Sequence, residues 1–385
     1  MNKKIINIQI NRLPKNPGVY LMKNRLDEII YIGKAKNIYN RVRSYFYKSQ
    51  NHSPKIKNLV EELVTIDFKP TPTELEALIL ESRLIKSFLP KYNRQLKQYK
   101  NYPFIKVNLK NEFPRVYLTY DCPDDGNYYF GPFNKAYSLV EDIHLINKIF
   151  KSRTCNHNIK VNPMDHSCLY DQIGQCVAPC NGSVAKGKYK ELISEIIDFL
   201  EEGESDVIED YLKHTSDKKK DLIAKQLFEQ AQKIQRDQNR LNHLIKQNRL
   251  LKDAQQYADS VLLIRENDLH FAFHISDGRV KNRFPLDQPS HLIDSLNAIT
   301  DQSNDTPGQL LPGIESTGQL FSPLSKECLD EMKIIIHWIR SDQGNHLIIP
   351  SKSISSFLDS LKSNTIRQLS DIYSLAPNYL ESQIV

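Results

Sequence analysis

The run from Asn16 to Phe46, NPGVYLMKNRLDEIIYIGKAKNIYNRVRSYF, leaves this chain few ways to fold. Gly18-Val19-Tyr20 and Tyr31-Ile32-Gly33 read as the strands of a hairpin, with Asn24 to Asp27 as its polar turn. Asn37 stands where a helix N-cap belongs, and Ile38, Val42 and Phe46 then share one helical face. Arg41 and Tyr45 are four residues apart and so point the same way. The pattern gathers Tyr20, Tyr31, Lys34, Arg41 and Tyr45 onto one small surface. A second helix begins at Thr73, with Leu75, Leu78, Ile79 and Leu84 as its apolar stripe. Glu81 lies among those apolar positions, where a carboxylate is costly without a partner. A divalent metal ion would be such a partner.

Phenols, a guanidinium, an amine and an ion-binding acid are the groups that phosphodiester hydrolysis requires. Mg²⁺ on one carboxylate can polarise the phosphate and orient the departing oxygen. The planar fork of Arg41 can hold two phosphate oxygens. A tyrosine, with an ordinary pKa of roughly 10, is a poor base at neutral pH. Lys34, Arg41 and the metal charge are expected to favour its phenolate. Taken singly, these residues are ordinary. The chain has 19 tyrosines, and a tyrosine in a hairpin usually packs its ring and wets its hydroxyl. Glu81 alone would pass for a paired surface acid. Their joint order points to chemistry.

In that order the residues resemble the GIY-YIG nuclease family: GVY, YIG eleven positions after the first tyrosine, then Lys34, Arg41, Tyr45, Glu81 and Asn93. PGVYLMK, YIGKAKNIYNRVRSYF, TELEALILESRLIK, PKYN and YPFIKV are similar to its UvrC/Cho branch in particular. The resemblance implies Tyr31 as general base and Glu81 as the ligand of Mg²⁺ or Mn²⁺. It implies that Arg41 and Lys34 bind and stabilise the phosphate, that Tyr20 and Tyr45 line the site, and that Asn93 braces it. Glu76, five positions away, remains an alternative acid. Valine in place of isoleucine in the first motif leaves the tyrosine where the family has it.

The net charge of +6 conceals a division. Residues 1–103 hold 20 Lys and Arg against 8 Asp and Glu, so they carry +12 and the remainder −6. A basic first quarter suits a polyphosphate backbone bound through sequence-independent contacts, and double-stranded DNA is the expected partner. A solvated basic face without a ligand would have the same composition. No apolar stretch approaches bilayer length, and MNKKIINIQINR lacks the long apolar core of a secretion signal. A cytoplasmic protein is expected.

Cys155, Cys168, Cys176 and Cys180 cluster in a loop-rich segment with gaps of 12, 7 and 3 residues. In a reducing compartment such thiols hold metal more often than they form disulfides. Residue chemistry alone admits zinc or an iron–sulfur cluster, with His157 and His166 as substitute ligands. Cys122 and Cys328 stand apart. The segment YYFGPFNKAYSLVEDIHLINKIFKSRTC followed by CLYDQIGQCVAPC resembles the one after the UvrC nuclease domain, which implies a 4Fe–4S cluster, with Zn²⁺ as the alternative.

The expected fold is α+β. Residues 1–100 form a small GIY-YIG sheet-and-helix domain. Residues 101–186 hold short strands, a helix from about Asn134 to Phe150 and the cysteine-rich metal segment. Residues 187–258 form a helical hairpin, and 259–385 a small α+β domain of unassigned role. Within the hairpin, LFEQAQKIQRDQ resembles a degenerate UVR motif, which implies contact with the excinuclease B subunit (UvrB). Gln232, Gln235 and Arg236 depart from that motif. In the tail, LPGIESTG partly resembles a helix-hairpin-helix turn without its second glycine, and no acidic constellation marks a second nuclease. One incision per protein is therefore expected. The resemblance implies a DNA endonuclease making the 3′-side incision of nucleotide excision repair. Two alternatives stand beside it: a mobile-element or phage-defence nuclease acting on undamaged DNA, and a non-catalytic DNA-binding adaptor.

Overall fold

The computed structural model describes residues 8–47, 53–93, 99–133, 135–162, 168–266, 268–301, 325–341 and 346–363, together with 369 and 372. The chain forms two compact units, one of residues 1–100, 257–316 and 327–385, the other of 101–256 with 317–326.

In the first unit, β1 (Gly18–Lys23) pairs antiparallel with β2 (Ile29–Ala35) and, on its other edge, with β3 (Thr65–Pro70). The hairpin turn is held by Asn24, whose Oδ1 accepts from the N–H groups of Leu26 and Glu28 at 2.9 and 3.0 Å. The third strand, TIDFKP, has no tyrosine–glycine signature and its last four residues are exposed. Its strand character comes from pairing with β1, which the isolated segment does not advertise. Asn37 caps α1 (Ile38–Ser44) through the Asn40 N–H, and α2 (Pro54–Glu62) follows. Thr73 caps α3 (Glu74–Phe88) through the Glu76 N–H.

Strand alternation gives the sheet two apolar faces. Tyr20 and Met22 point to one, where Ile38, Val42, Tyr45, Leu59 and Leu63 close over them. Val19 and Leu21 point to the other, against Ile32 and Ile85 of α3. The buried positions of α3 are Leu75, Ala77, Ile79, Ser82 and Ile85. Leu78 and Leu84, read from the sequence as part of the stripe, are only half buried.

Gly18 and Gly33 are required by space. A Cβ on Gly18, whose φ is +156°, would lie 2.4 Å from the Lys69 carbonyl oxygen of the paired strand. A Cβ on Gly33 would lie 2.3 Å from the Tyr20 hydroxyl, because Tyr20 stands directly opposite in the register. The glycine of YIG thus makes room for the tyrosine of GVY.

The same unit contains the strands β7 (Ser260–Glu266), β8 (Leu269–Ser276), β9 (Arg279–Leu286) and β10 (His346–Pro350), in sheet order β10-β7-β8-β9. The helices α9 (Pro289–Asp301), α10 (Lys326–Ser341) and α11 (Ile354–Ser363) accompany them. The segments VLLIRE, LHFAFHIS, RVKNRFPL and CLDEMKIIIHWIRS lie in these strands and in α10. LPGIESTG lies outside the described residues.

The second unit opens with a three-stranded sheet, β4 (Phe104–Val107), β5 (Val116–Thr119) and β6 (Tyr128–Phe130), in order β5-β4-β6. The helix α4 (Ala136–Phe150) and the short α5 (Leu169–Gln172) follow. The helical stretch is not a single hairpin. It consists of α6 (Lys186–Glu202), α7 (Asp206–Ala224) and α8 (Phe228–Gln256). Gly203, at φ +77°, ends α6. The second break falls at Gln226, which adopts φ +55° while the Leu227 N–H returns to the Leu222 carbonyl at 2.9 Å. No Gly or Pro marks that turn, so the sequence reads straight through it. No helix among the described residues is long and apolar enough to cross a membrane.

Candidate active site

The site grows from the β-register. Tyr20 and Tyr31 lie on one face of adjacent strands, and Tyr45 caps the C-terminus of α1 above them. Their ring centroids form a near-equilateral triangle with sides of 6.1, 6.1 and 6.3 Å. The Tyr20 and Tyr45 hydroxyls bond at 2.8 Å, and Tyr45 donates a long 3.5 Å bond to the Tyr31 hydroxyl. The Arg41 guanidinium lies 5.4 Å from the centre of the Tyr45 ring.

Opposite this group, α3 presents Glu74 and Glu81, two turns apart on one helix face. Both hold Lys34. The Lys34 backbone N–H donates to Glu81 Oε1 at 3.0 Å, and its ammonium meets Glu74 Oε1 at 3.0 Å. Lys36 meets the other Glu74 oxygen at 2.6 Å. Glu74 was not singled out in the sequence, although its seven-residue spacing from Glu81 in a Thr-capped helix is visible there. Burial pushes the Glu81 carboxyl above the usual carboxylate range, while the Lys34 N–H and the charges of Lys34 and Arg41 pull it back. Glu76, the alternative acid, pairs instead with Arg283 at 2.9 Å.

Asn93 grips β2 at Ile32. Its Oδ1 accepts from the Ile32 N–H at 2.9 Å and its Nδ2 donates to the Ile32 carbonyl at 2.8 Å. Both bonds are buried, so removing the amide strands two backbone groups without water. Asn93→Ala is expected to destabilise this unit by about 3 kcal/mol. Chemical denaturation followed by tyrosine fluorescence measures it, and a loss under about 1 kcal/mol would show that the brace is dispensable.

Lys34, Arg41 and a metal charge were expected to favour the Tyr31 phenolate. Without the metal charge, the phenol is held well above its usual range, first by burial, then by Tyr45 and by the charge of Glu81. Desolvation outweighs the neighbouring cations, and the ammonium of one of them, Lys34, is turned to Glu74. Glu81 accepts the N–H of Lys34, three residues beyond Tyr31 on β2, and Arg41 lies over the ring of Tyr45, which meets Tyr31. Beside it runs an open groove of about 490 Å³ lined by Lys34, Ala35, Lys36, Asn37, Asn40, Arg41 and Ser44.

Cys155, Cys168, Cys176 and Cys180 are all free thiols. Burial first, and then the other three cysteines, raise the Cys176 thiol to about 11. Among the described residues no group of three or more His, Cys, Asp or Glu side chains is gathered to hold a metal ion. Two buried donors beside Cys155, Arg153 Nε and Thr154 Oγ1, have no hydrogen-bond partner among the described residues. His157 is exposed, and His166 lies outside the described residues.

A hairpin-centred sheet thus brings together three facing tyrosines, an arginine and a half-buried carboxylate. Residues 16–94 match the UvrC-like GIY-YIG domain, and 102–199 match the middle domain of the UvrC/Cho excinucleases. The UvrABC system protein C of Alkaliphilus oremlandii is 32% identical across 98% of this chain and 61% of its own length. That of Acetivibrio thermocellus is 35% identical across 89% of this chain and 54% of its own. The GIY-YIG N-terminal endonuclease domain of UvrC from Thermotoga maritima, solved bound to its catalytic divalent cation, magnesium, is 41% identical. It covers 24% of this chain and 100% of its own, with a TM-score of 0.22. The chain carries a UvrC-like GIY-YIG domain followed by a UvrC/Cho middle domain. It spans only about half to three-fifths of the length of these curated relatives. The A. oremlandii alignment also covers most of residues 259–385, the domain of unassigned role.

Proposed function

We propose that the protein is a Mg²⁺-dependent endonuclease that nicks one strand of double-stranded DNA, on the 3′ side of a lesion, in nucleotide excision repair. The observation that carries this reading is the convergence of the Tyr31 phenol, the Arg41 guanidinium and the Glu81 carboxylate beside one cationic groove. Bound at Glu81, a divalent cation would supply Lewis-acid polarisation of a phosphate oxygen. An isolated carboxylate suits a hard ion that keeps several waters, as Mg²⁺ does, and Mn²⁺ shares its preference for oxygen. Arg41 holds the phosphate through its N–H fork. Tyr31, as phenolate, takes a proton from the attacking water; the water oxygen bonds to phosphorus, the P–O ester bond to the departing strand end breaks, and the departing oxygen takes up a proton from solvent. Tyr20 and Tyr45, both buried, orient Tyr31 through their hydroxyls. Lys34 holds Glu81 through its backbone and adds positive charge to the groove.

The relatives' shared name, UvrABC system protein C, supports a place in that system and, with it, the excinuclease B subunit (UvrB) as partner. Cys155, Cys168, Cys176 and Cys180 are assigned to a 4Fe–4S cluster, with Zn²⁺ as the alternative. Four free thiols and two orphaned donors beside Cys155 support a sulfur-rich acceptor there. Metal analysis and a visible spectrum of anaerobically purified protein separate iron from zinc.

Incision mapping on a lesion-bearing duplex, with and without the excinuclease A and B proteins, tests the function. A Mg²⁺-dependent nick on the 3′ side of the lesion is expected. Equal cutting of the undamaged duplex would favour the mobile-element or phage-defence reading. Binding without any nick would favour the adaptor.

A further inference from the structure

Helix α3, which carries Glu81, is held on a side that the site does not use. Glu76, Arg83 and Lys86, spaced by seven and three residues, share one helix face. Each pairs with the C-terminal part of the same compact unit. Arg83 makes a bidentate contact with Glu331, Nε to Oε2 at 3.0 Å and Nη2 to Oε1 at 2.6 Å. Its Nη2 also donates to the Val280 carbonyl at 2.7 Å, and the Val280 N–H returns to Glu331 Oε1 at 2.7 Å. Lys86 meets Asp330 at 2.9 Å, and Arg283 of β9 meets both oxygens of Glu76 at 2.9 and 3.0 Å. At the start of the helix, Glu266 of β7 accepts the Glu74 N–H with both oxygens, at 3.0 and 3.1 Å.

The acids Glu331 and Asp330 are only 6% and 5% exposed at the side chain, so this is not a loose surface pairing. Buried ion pairs add little net stability, because desolvation offsets their attraction. What a bidentate, buried pair does supply is register. A one-residue slip of a helix moves it about 1.5 Å and turns it about 100°. Such a slip would carry Glu81 away from the Lys34 N–H. Glu266 acts at the same point from the other end, because the Glu74 residue whose N–H it binds also holds Lys34 and Lys36.

We propose that the C-terminal sheet and α10 clamp α3, and that Glu331 and Glu266 are positioning residues for the metal-binding carboxylate of Glu81. This inference rests on the assignment of the cation to Glu81.

The test uses the whole 385-residue chain, without DNA and without turnover. Mn²⁺ binding is followed by the loss of the free-ion electron paramagnetic resonance signal, alongside amide hydrogen exchange over residues 75–88. Glu331→Gln and Glu266→Gln are each expected to weaken Mn²⁺ binding about tenfold, as loss of an outer-sphere support does, and to speed exchange in α3. Glu81→Gln is the reference and should abolish this binding. Faster exchange with Mn²⁺ affinity within twofold of the parent would make the contacts merely structural and overturn the proposal. Unchanged exchange and unchanged affinity would overturn it as well. Equal binding by the parent and Glu81→Gln would instead remove the cation assignment, and the clamp's role with it. Should Glu331→Gln lose its cooperative melt, the less buried Glu266→Gln carries the test alone.

Discussion

Glu81→Gln protein is expected to bind duplex DNA within about threefold of the parent and to nick it at about a thousandth of the rate or less. The amide keeps the shape of the side chain and can still accept the Lys34 N–H, so the fold should be unchanged. It removes the one negative charge on which a divalent cation would sit. Lewis-acid stabilisation of the phosphate is worth several kcal/mol, and about 1.4 kcal/mol corresponds to tenfold in rate. DNA affinity should survive because phosphate contacts by the basic face dominate it. Nicking of supercoiled plasmid, with binding measured in Ca²⁺, separates the two. Cleavage by the variant at more than a tenth of the parent rate would remove Glu81 from the metal site.

Tyr31→Phe should lower the nicking rate by about 10²- to 10⁴-fold, the usual worth of a positioned general base. Stability should barely change, because the bond from Tyr45 to the Tyr31 hydroxyl is a long 3.5 Å. Tyr20→Phe is the contrasting case. Its hydroxyl is buried against Tyr45 at 2.8 Å, so its loss should cost about 1 kcal/mol of stability as well as some rate. The pH profile follows from the direction of the Tyr31 shift. The group must lose its proton to work, and burial, Tyr45 and Glu81 all oppose that loss. The parent rate should therefore climb with pH through neutrality, close to tenfold per pH unit below the working pKa, and this climb should vanish in Tyr31→Phe. A flat parent profile would argue for another base.

Much of the nuclease site was legible because its signals are local. Asn37 and Thr73 are N-caps acting three residues ahead, and Arg41 and Tyr45 share a face by helical spacing. The strand period put Tyr20 and Tyr31 where they could face one another. The break at Gln226 was not legible, since a glutamine in the left-handed region leaves no mark in composition. The strand Thr65–Pro70 was missed for a related reason, as its identity depends on a partner more than forty residues upstream. Asn93 was placed only through the family resemblance. Its two bonds to Ile32 cross 61 positions and follow from no period in the chain.

The sequence by itself determined the chemistry on offer: which phenols, cations and acids lie on which short elements, and the family that combines them. Tertiary structure alone decided how those groups behave. It buried Tyr31 deeply enough to raise its pKa against the nearby cations, tied the Lys34 ammonium to Glu74, and brought Glu266 and Glu331 to a helix that begins 192 residues before the first of them. The physical reason is range. Propensity, capping and periodicity act over a few residues and can be read in order. Desolvation and ion pairing depend on which distant surfaces meet and how much water they exclude, and the order of residues does not record that.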